Sequence, residues 1–203
     1  MLLFLLSVVV ISLSGVMLPG PMFAVTIAKS YRSQFAGTLI ALGHALVEIP
    51  LMLLIYFGLT SFLQHDLVKL ILNLLGGGML IWLGVVMFRR RAEVIERGKD
   101  LPYNSVIAGV VTSVLNPAFF LWWAIIGTTL VMNSLNFGIT GFALLIPVHL
   151  ICDLAWLSFI SILVWKTRSL WGRKFQSGLF IACSLLLIGF GVWFLTLGLQ
   201  LVF

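Results

Sequence analysis

Residues 36–63 read AGTLIALGHALVEIPLMLLIYFGLTSFL, a largely apolar stretch that is long enough to cross a bilayer as a helix. His44 and Glu48 lie inside it four residues apart, so a helix places both side chains on one face. A second apolar stretch repeats this pattern with His149 and Asp153. An ionised carboxylate in such a stretch costs about 3 kcal/mol or more and usually faces a substrate or ion path. The sequence therefore predicts a membrane-embedded protein with a polar centre.

The composition is typical of an integral membrane protein. Hydrophobic residues make up 62% of the 203 residues and charged residues 9%, against about 25% charged residues in soluble domains. The net charge of +6 does not predict nucleic-acid binding, because the basic residues lie in short loops between apolar segments. The expected partner is the lipid bilayer, and no nucleic acid is expected.

Six apolar segments of about spanning length can be drawn along the chain. They are 2–28, 36–63, 67–88, 104–132, 137–165 and 176–201. The hydrophilic stretch 89–103 separates the third segment from the fourth. It predicts a cytoplasmic linker between two three-helix units, 1–88 and 104–203.

The two units share one order of features. Each opens with an apolar helix interrupted by proline, at Pro19-Gly20-Pro21 in the first unit and Asn116-Pro117 in the second. Each continues with a helix that carries a histidine and an acid, and closes with a glycine-rich helix. Because each unit has three helices, the second unit is inverted in the membrane. The sequence predicts an all-α membrane protein of six transmembrane helices, built as two inverted three-helix repeats with broken helices 1 and 4.

The basic residues set the expected orientation. Eleven of the 12 Lys and Arg residues lie in the connections after helices 1, 3 and 5, and Lys69 is the remaining one. Cytoplasmic loops carry the excess of positive charge, so these three connections are predicted to be cytoplasmic. Both termini of this multi-pass protein of the cytoplasmic membrane would then lie outside the cell.

The proline breaks are candidates for anion binding. Broken backbone at membrane depth lines a cavity or is covered by protein. The half-helix N-termini at Pro21 and Pro117 would offer amide groups and a partial positive charge to a substrate carboxylate. A simple packing kink is the alternative for either break taken alone, but the paired placement favours binding.

Two adjacent tryptophans, Trp122 and Trp123, follow the second break by less than two helical turns. Adjacent residues of a helix point in different directions, so at most one of the two is expected to face the cavity. The other is expected to pack within the bundle or to contact lipid.

The intramembrane acids can play either of two roles. Glu48 and Asp153 could hold an ammonium group or a metal cation, or they could carry protons. His44 and His149 lie one turn away and belong to the residue type that titrates near physiological pH. The alternative is that each histidine and its acid only satisfy each other within the bundle.

Three segments carry a resemblance to a known family: Gly15-Val16-Met17-Leu18-Pro19-Gly20-Pro21, the small-residue start of helix 2 with Glu48, and Thr112-Ser113-Val114-Leu115-Asn116-Pro117. With them the whole chain resembles the LysE family of amino-acid exporters. The resemblance implies export driven by the proton gradient, with the proline breaks and the acids of helices 2 and 5 along the path. Met22 stands where many members have Asn, and Gly43-His44 stands where many have Gly-Asp. These two departures leave the substrate open.

The leading hypothesis is a proton-coupled secondary exporter of amino acids or related small metabolites. Its substrate and ion site comprises His44, Glu48, His149, Asp153, Pro19, Gly20, Pro21, Asn116 and Pro117. The sequence has no nucleophile–base constellation and no motif for an organic cofactor, so neither an enzyme nor a bound cofactor is predicted.

Two alternatives stay open. In a divalent metal exporter, the two histidines and two acids would form a mixed site for zinc, manganese or iron, provided that the two pairs converge in space. In a membrane electron carrier, Cys152 and Cys183 would pass reducing equivalents, although neither lies in a redox motif. A homo-oligomer also stays open, because lipid-facing surfaces and subunit contacts are both apolar.

Overall fold

A computed structural model gives the fold and describes residues 1–17, 20–58, 65–96 and 103–201. These residues form helices and short connections, and no strand occurs among them. The α-helices are α1 (Leu2–Val16), α2 (Pro21–Ser30), α3 (Ala36–Tyr56), α4 (Asp66–Glu96), α5 (Ser105–Val114), α6 (Pro117–Trp122), α7 (Thr128–Leu135), α8 (Gly138–Thr167) and α9 (Arg173–Leu199). A π-helical turn, Trp123–Gly127, joins α6 to α7, and a 3₁₀ turn, Arg168–Leu170, follows α8.

Helices long and apolar enough to cross a membrane dominate the described chain. Five helical segments meet this condition: Ala36–Tyr56, Asp66–Arg89, Pro117–Leu135, Gly138–Leu170 and Arg173–Leu199. A sixth is formed if α1 and α2, which are bent by 74° relative to each other, make one broken span. The predicted all-helical membrane architecture is therefore confirmed, with five to six spans.

Local sequence explains where the broken segments restart. Pro21 is the first residue of α2 and Pro117 the first of α6, where the missing N–H of proline is no loss. The Asn104 side chain caps α5 by accepting a hydrogen bond from the Ile107 amide at 2.7 Å. Asn116 caps α6 by accepting one from the Ala118 amide at 3.2 Å.

The observed helices differ from the predicted segments in several places. The segment 2–28 is two helices, as its proline break predicts, whereas 104–132 comprises the short helix α5 and a longer run that reaches Leu135. The predicted third segment ends at 88, but α4 continues to Glu96, since the arginines and acids after the apolar run are themselves good helix formers. The remainder of the predicted linker, 97–102, lies outside the described residues.

Glycines let the helices that carry the site approach closely. A Cβ at Gly43 of α3 would collide with the Val106 carbonyl of α5, and one at Gly109 of α5 with the Ile40 carbonyl of α3. A Cβ at Gly37 would collide with the Leu157 carbonyl of α8. These backbone contacts fix α3 against both α5 and α8.

The third helix of each predicted unit also packs on its counterpart through glycine. A Cβ added at Gly77 of α4 would lie 2.7 Å from the Gly191 carbonyl oxygen of α9, and the reverse distance is also 2.7 Å. Elsewhere the first helices pack on the opposite unit: α1 and α2 contact α8, and α5 contacts α3. The polar centre lies where these two contacts meet.

The basic connections gather at one end of the bundle. The Lys29 ammonium group donates a hydrogen bond to the Tyr103 carbonyl, and the Arg168 guanidinium group donates one to the Tyr31 carbonyl. The chain after α2, the start of the second unit and the chain after α8 are thereby tied together.

Candidate functional site

The two histidine–acid pairs converge on one another in the middle of the bundle. Glu48 Oε1 lies 3.1 Å from His44 Nε2 on its own helix and 3.1 Å from His149 Nε2 on α8. Asp153 Oδ2 lies 3.5 Å from His149 Nε2 and 3.8 Å from His44 Nε2. All four residues are at most 6% exposed. We call His44, Glu48, His149 and Asp153 the central cluster.

A tryptophan completes the surroundings of Glu48. The Trp123 indole N–H donates a hydrogen bond to Glu48 Oε1 at 3.1 Å. Trp122 and Trp123 both line the cavity beside the central cluster, so the expectation that at most one would do so is wrong. Gly15 leaves room for the Trp122 indole, and the Trp123 indole extends to Glu48.

The hydrogen on His44 Nδ1 follows from its neighbours. His44 Nδ1 lies 2.7 Å from the Ser113 hydroxyl, and that hydroxyl donates its single hydrogen to the Gly109 carbonyl at 2.6 Å. With that hydrogen on the Gly109 carbonyl, the Ser113 oxygen accepts from His44, and in this arrangement His44 carries a hydrogen on Nδ1. Nε2 faces Glu48 Oε1 at hydrogen-bond distance, and this contact then requires a further proton on His44 or on Glu48.

The position of the hydrogen on the His149 ring is less strictly determined. Its Nδ1 lies 2.6 Å from the Ser12 hydroxyl on α1. No second partner for the Ser12 hydroxyl is found among the described residues, so Ser12 can either donate to Nδ1 or accept from it. With Ser12 donating, a neutral His149 carries its hydrogen on Nε2 and donates it to Glu48. In that arrangement His149 joins the cluster without an additional proton.

A cavity of about 260 Å³ opens beside the central cluster. It is lined by Ser12, Gly15, Val16, Gly20, Pro21, Met22, Phe23, His44, Glu48, Asn116, Ala118, Phe119, Trp122, Trp123, His149, Asp153, Leu157 and Phe190. Both helix breaks therefore reach the same cavity as the acids. Pro117 is buried at the start of α6 next to this lining. Pro19 lies outside the described residues.

The two helix N-termini at the cavity differ in their caps. The Asn116 side chain accepts a hydrogen bond from the Ala118 amide, so this amide is not free to bind a ligand. Gly20, the residue before α2, is extended and has no side chain to offer. Since the first amides of a helix have no partner within it, the start of α2 is the more open of the two to a ligand anion.

Two carboxylate oxygens of the central cluster lack a hydrogen-bond donor, although Asp153 Oδ2 has the longer ion-pair contacts to His149 and His44. Glu48 Oε2 and Asp153 Oδ2 are fully buried and have no hydrogen-bond partner among the described residues. A buried acceptor without a donor is expensive, and it indicates a place where a ligand can supply the donor.

The cluster also meets the distance requirement for a metal. Ligand atoms of His44, Glu48 and Asp153 lie within 4.8 Å of one another. His149 is not part of this group of three. Cys152 and Cys183 are buried free thiols, and neither is among the residues that line the cavity.

Sequence reasoning missed two residues that touch the central cluster, Ser12 and Ser113, and singled out Trp123 only as one of two candidates for the cavity. Serines in apolar helices are common, and nothing in their spacing marks these two. The signal that could have singled out Ser113 is its place in the segment 112–117, which carries the family resemblance. Ser12 lies only three residues before the other such segment.

Comparison with known proteins assigns the family. The LysE type translocator family matches residues 13–198. The chain is similar to a protein of Bacillus subtilis (strain 168) named "Putative amino acid efflux protein YcgF", with 28% identity over an alignment of 195 residues that covers 93% of each chain. No solved structure matches the chain. The chain is thus a multi-pass membrane protein that belongs to the LysE type translocators, a family of transporters rather than enzymes.

Proposed function

We propose that this translocator exports amino acids in exchange for protons, with the central cluster as the shared site for the substrate amine and the proton. The observation that carries the proposal is the pair of buried oxygens without a hydrogen-bond partner, Glu48 Oε2 and Asp153 Oδ2, in a cavity that also receives a helix N-terminus. The Bacillus subtilis relative, named for amino acid efflux, supports the same substrate class.

The substrate ammonium group would lie between the two acids. Carboxylate oxygens of Glu48 and Asp153 lie within 4.8 Å of each other, a separation that one ammonium nitrogen can bridge with two N–H···O bonds. The substrate carboxylate would lie toward the start of α2, where Gly20 and Pro21 line the cavity. Asn116 and Pro117 would shape the opposite side of the cavity.

Proton exchange follows from competition for the same acids. In the proposed mechanism the His44–Glu48 pair holds one proton. When the substrate ammonium group reaches Glu48, its positive charge repels that proton and replaces it as the partner of the carboxylate. Substrate arrival would therefore release the proton, and substrate departure would restore it. This alternation couples one amino acid to one proton moving the opposite way.

We also propose an inverted repeat, with units at 1–88 and 104–203 joined by 89–103. The support is a reciprocal arrangement: Ser12 of the first unit bonds His149 of the second, and Ser113 of the second bonds His44 of the first. Such repeats place the binding site at their interface.

We further propose that the basic end of the bundle faces the cytoplasm, with both termini outside the cell. Lys29 and Arg168 each reach the backbone of another basic connection at this end, in keeping with the positive-inside rule.

A divalent metal as the exported substrate is the second candidate, because His44, Glu48 and Asp153 offer three ligand atoms at suitable distances. A thermal-unfolding screen of the detergent-purified protein against amino acids and divalent metals separates the two candidates, since a ligand that binds the folded state raises the midpoint.

The proposal expects amino acids to raise the midpoint of the wild type and of Asp66→Asn, but not of Glu48→Gln. Asp66 is a matched control, because its exposed carboxylate pairs with Lys69 at 3.0 Å, away from the cavity. Stabilisation by a metal alone, abolished by His44→Ala, would replace the amino-acid proposal with the metal one.

A further inference from the structure

We infer that the exported amino acids are those with a large, uncharged, apolar side chain. The inference rests on the proposed function and names its substrate class. It follows from what the cavity offers once the amine and carboxylate of the substrate are placed.

Aromatic side chains form much of the cavity wall. Phe23, Phe119, Trp122, Trp123 and Phe190 come from α2, α6, the π turn and α9, so the substrate side chain meets ring surfaces from several directions. Rings of this kind bury apolar groups favourably and supply few hydrogen bonds. The volume of about 260 Å³ suits one amino acid rather than a peptide.

Several polar groups of the wall are already engaged within the protein. Ser12 bonds His149, the Asn116 Oδ1 accepts from the Ala118 amide, and the Trp123 N–H donates to Glu48. The Trp122 Nε1 edge is directed at Gly15, where it lies 3.2 Å from the position of an added Cβ. The wall therefore leaves few groups, chiefly the Asn116 amide NH2, to replace the water partners of a polar substrate side chain.

Charge excludes the remaining classes. The carboxylates in the described lining are Glu48 and Asp153, and both are taken by the α-ammonium group of the substrate. A lysine-like side chain would bring a second cation without a second acid to pair with it. An aspartate-like side chain would bring an anion into a site that already holds two acids.

Matched ligands test the inference by isothermal titration calorimetry on the purified wild-type protein. Norleucine and lysine share a four-carbon side chain and differ in the terminal ammonium group, while leucine, asparagine and aspartate are nearly equal in shape. We expect norleucine to bind about 100-fold more tightly than lysine. We expect leucine to bind about 10-fold more tightly than asparagine, and the ratio of leucine to aspartate affinity to be larger still.

Equal or tighter binding of lysine, asparagine or aspartate would overturn the inference while leaving amino-acid export standing. If none of the five amino acids bound, the proposed function would fall as well. The two failures are therefore distinguishable in one series.

A wall variant adds an independent readout. Phe190→Ala should weaken norleucine binding about 10-fold relative to alanine binding, because only the longer side chain reaches the ring. The ratio of the two Kd values does not depend on how much of the variant is folded. Phe175→Ala, at an exposed position of the same helix, should leave the ratio unchanged. An unchanged ratio in Phe190→Ala would contradict the placement of the side chain.

Discussion

The two histidines of the central cluster can be compared directly, because each is held by a serine from the opposite unit. His44 meets Ser113, whose hydrogen is committed to the Gly109 carbonyl, so His44 must donate from Nδ1. His149 meets Ser12, for which no such commitment is found among the described residues. We propose that this backbone hydrogen bond makes His44 the holder of the exchanged proton and leaves His149 adaptable. Two sites that look equivalent in sequence are expected to perform different work.

The largest effect is expected where both histidines meet. Glu48→Gln removes the negative charge of a carboxylate whose oxygen lies 3.1 Å from nitrogens of His44, His149 and Trp123. Breaking a buried pair costs about 3–5 kcal/mol, so the efflux rate from proteoliposomes should fall about 100-fold or more. Asp66→Asn should retain the wild-type rate. Wild-type efflux in folded Glu48→Gln would remove this residue from the mechanism.

Replacing each histidine in turn tests the proposed difference between them. His44→Ala removes the proton holder, so efflux should lose its dependence on external pH. His149→Ala should transport more slowly but keep that dependence, with about a 10-fold difference in rate between the variants. Efflux measured across pH 5–9, a range of about 2 units on each side of neutrality, provides the test. Identical flattening of both pH profiles would contradict the distinction.

Substitution of Ser113 should slow efflux more than substitution of Ser12, with a smaller difference than between the two histidine variants. Ser113→Ala leaves the buried His44 N–H without an acceptor, which costs about 1–3 kcal/mol and should slow efflux about 10-fold. Ser12→Ala leaves His149 able to change its hydrogen position, and about threefold or less is expected. Ser184→Ala is the control, since that hydroxyl bonds the Phe180 carbonyl within α9. A larger loss in Ser12→Ala would reverse the assignment.

The smallest effect is expected for the two cysteines, which have no role in the proposed mechanism. Cys152 precedes Asp153, whereas Val47 precedes Glu48, and the Cys152 thiol donates to the Val148 carbonyl at 3.3 Å. The variant with both Cys152→Ser and Cys183→Ser should export at the wild-type rate. Loss of transport in it would instead favour the electron-carrier hypothesis.

The sequence predicted the helical membrane fold because apolar length and proline breaks are local properties. It also singled out His44, Glu48, His149 and Asp153, since charge inside an apolar helix is conspicuous. Their convergence was not predictable, because it depends on how α3 packs against α8.

Other parts of the site carry weaker local signals. Ser12 and Ser113 are ordinary residues of apolar helices until a histidine from another helix reaches them. The π turn at Trp123–Gly127 likewise has no marker in the sequence, and contacts with Gly15 and Glu48 accompany the placement of both indoles at the cavity. Tertiary contacts, rather than composition or spacing, decide these features.

The most direct test of the account measures protons and amino acid together. Proteoliposomes would be loaded with the amino acid that most stabilises the purified protein and with a pH-sensitive dye, then diluted into substrate-free buffer. The account predicts that the interior acidifies as the amino acid leaves, with about one proton entering per molecule, and that Glu48→Gln abolishes the signal. Efflux of the amino acid without any change in internal pH would contradict the shared site for amine and proton.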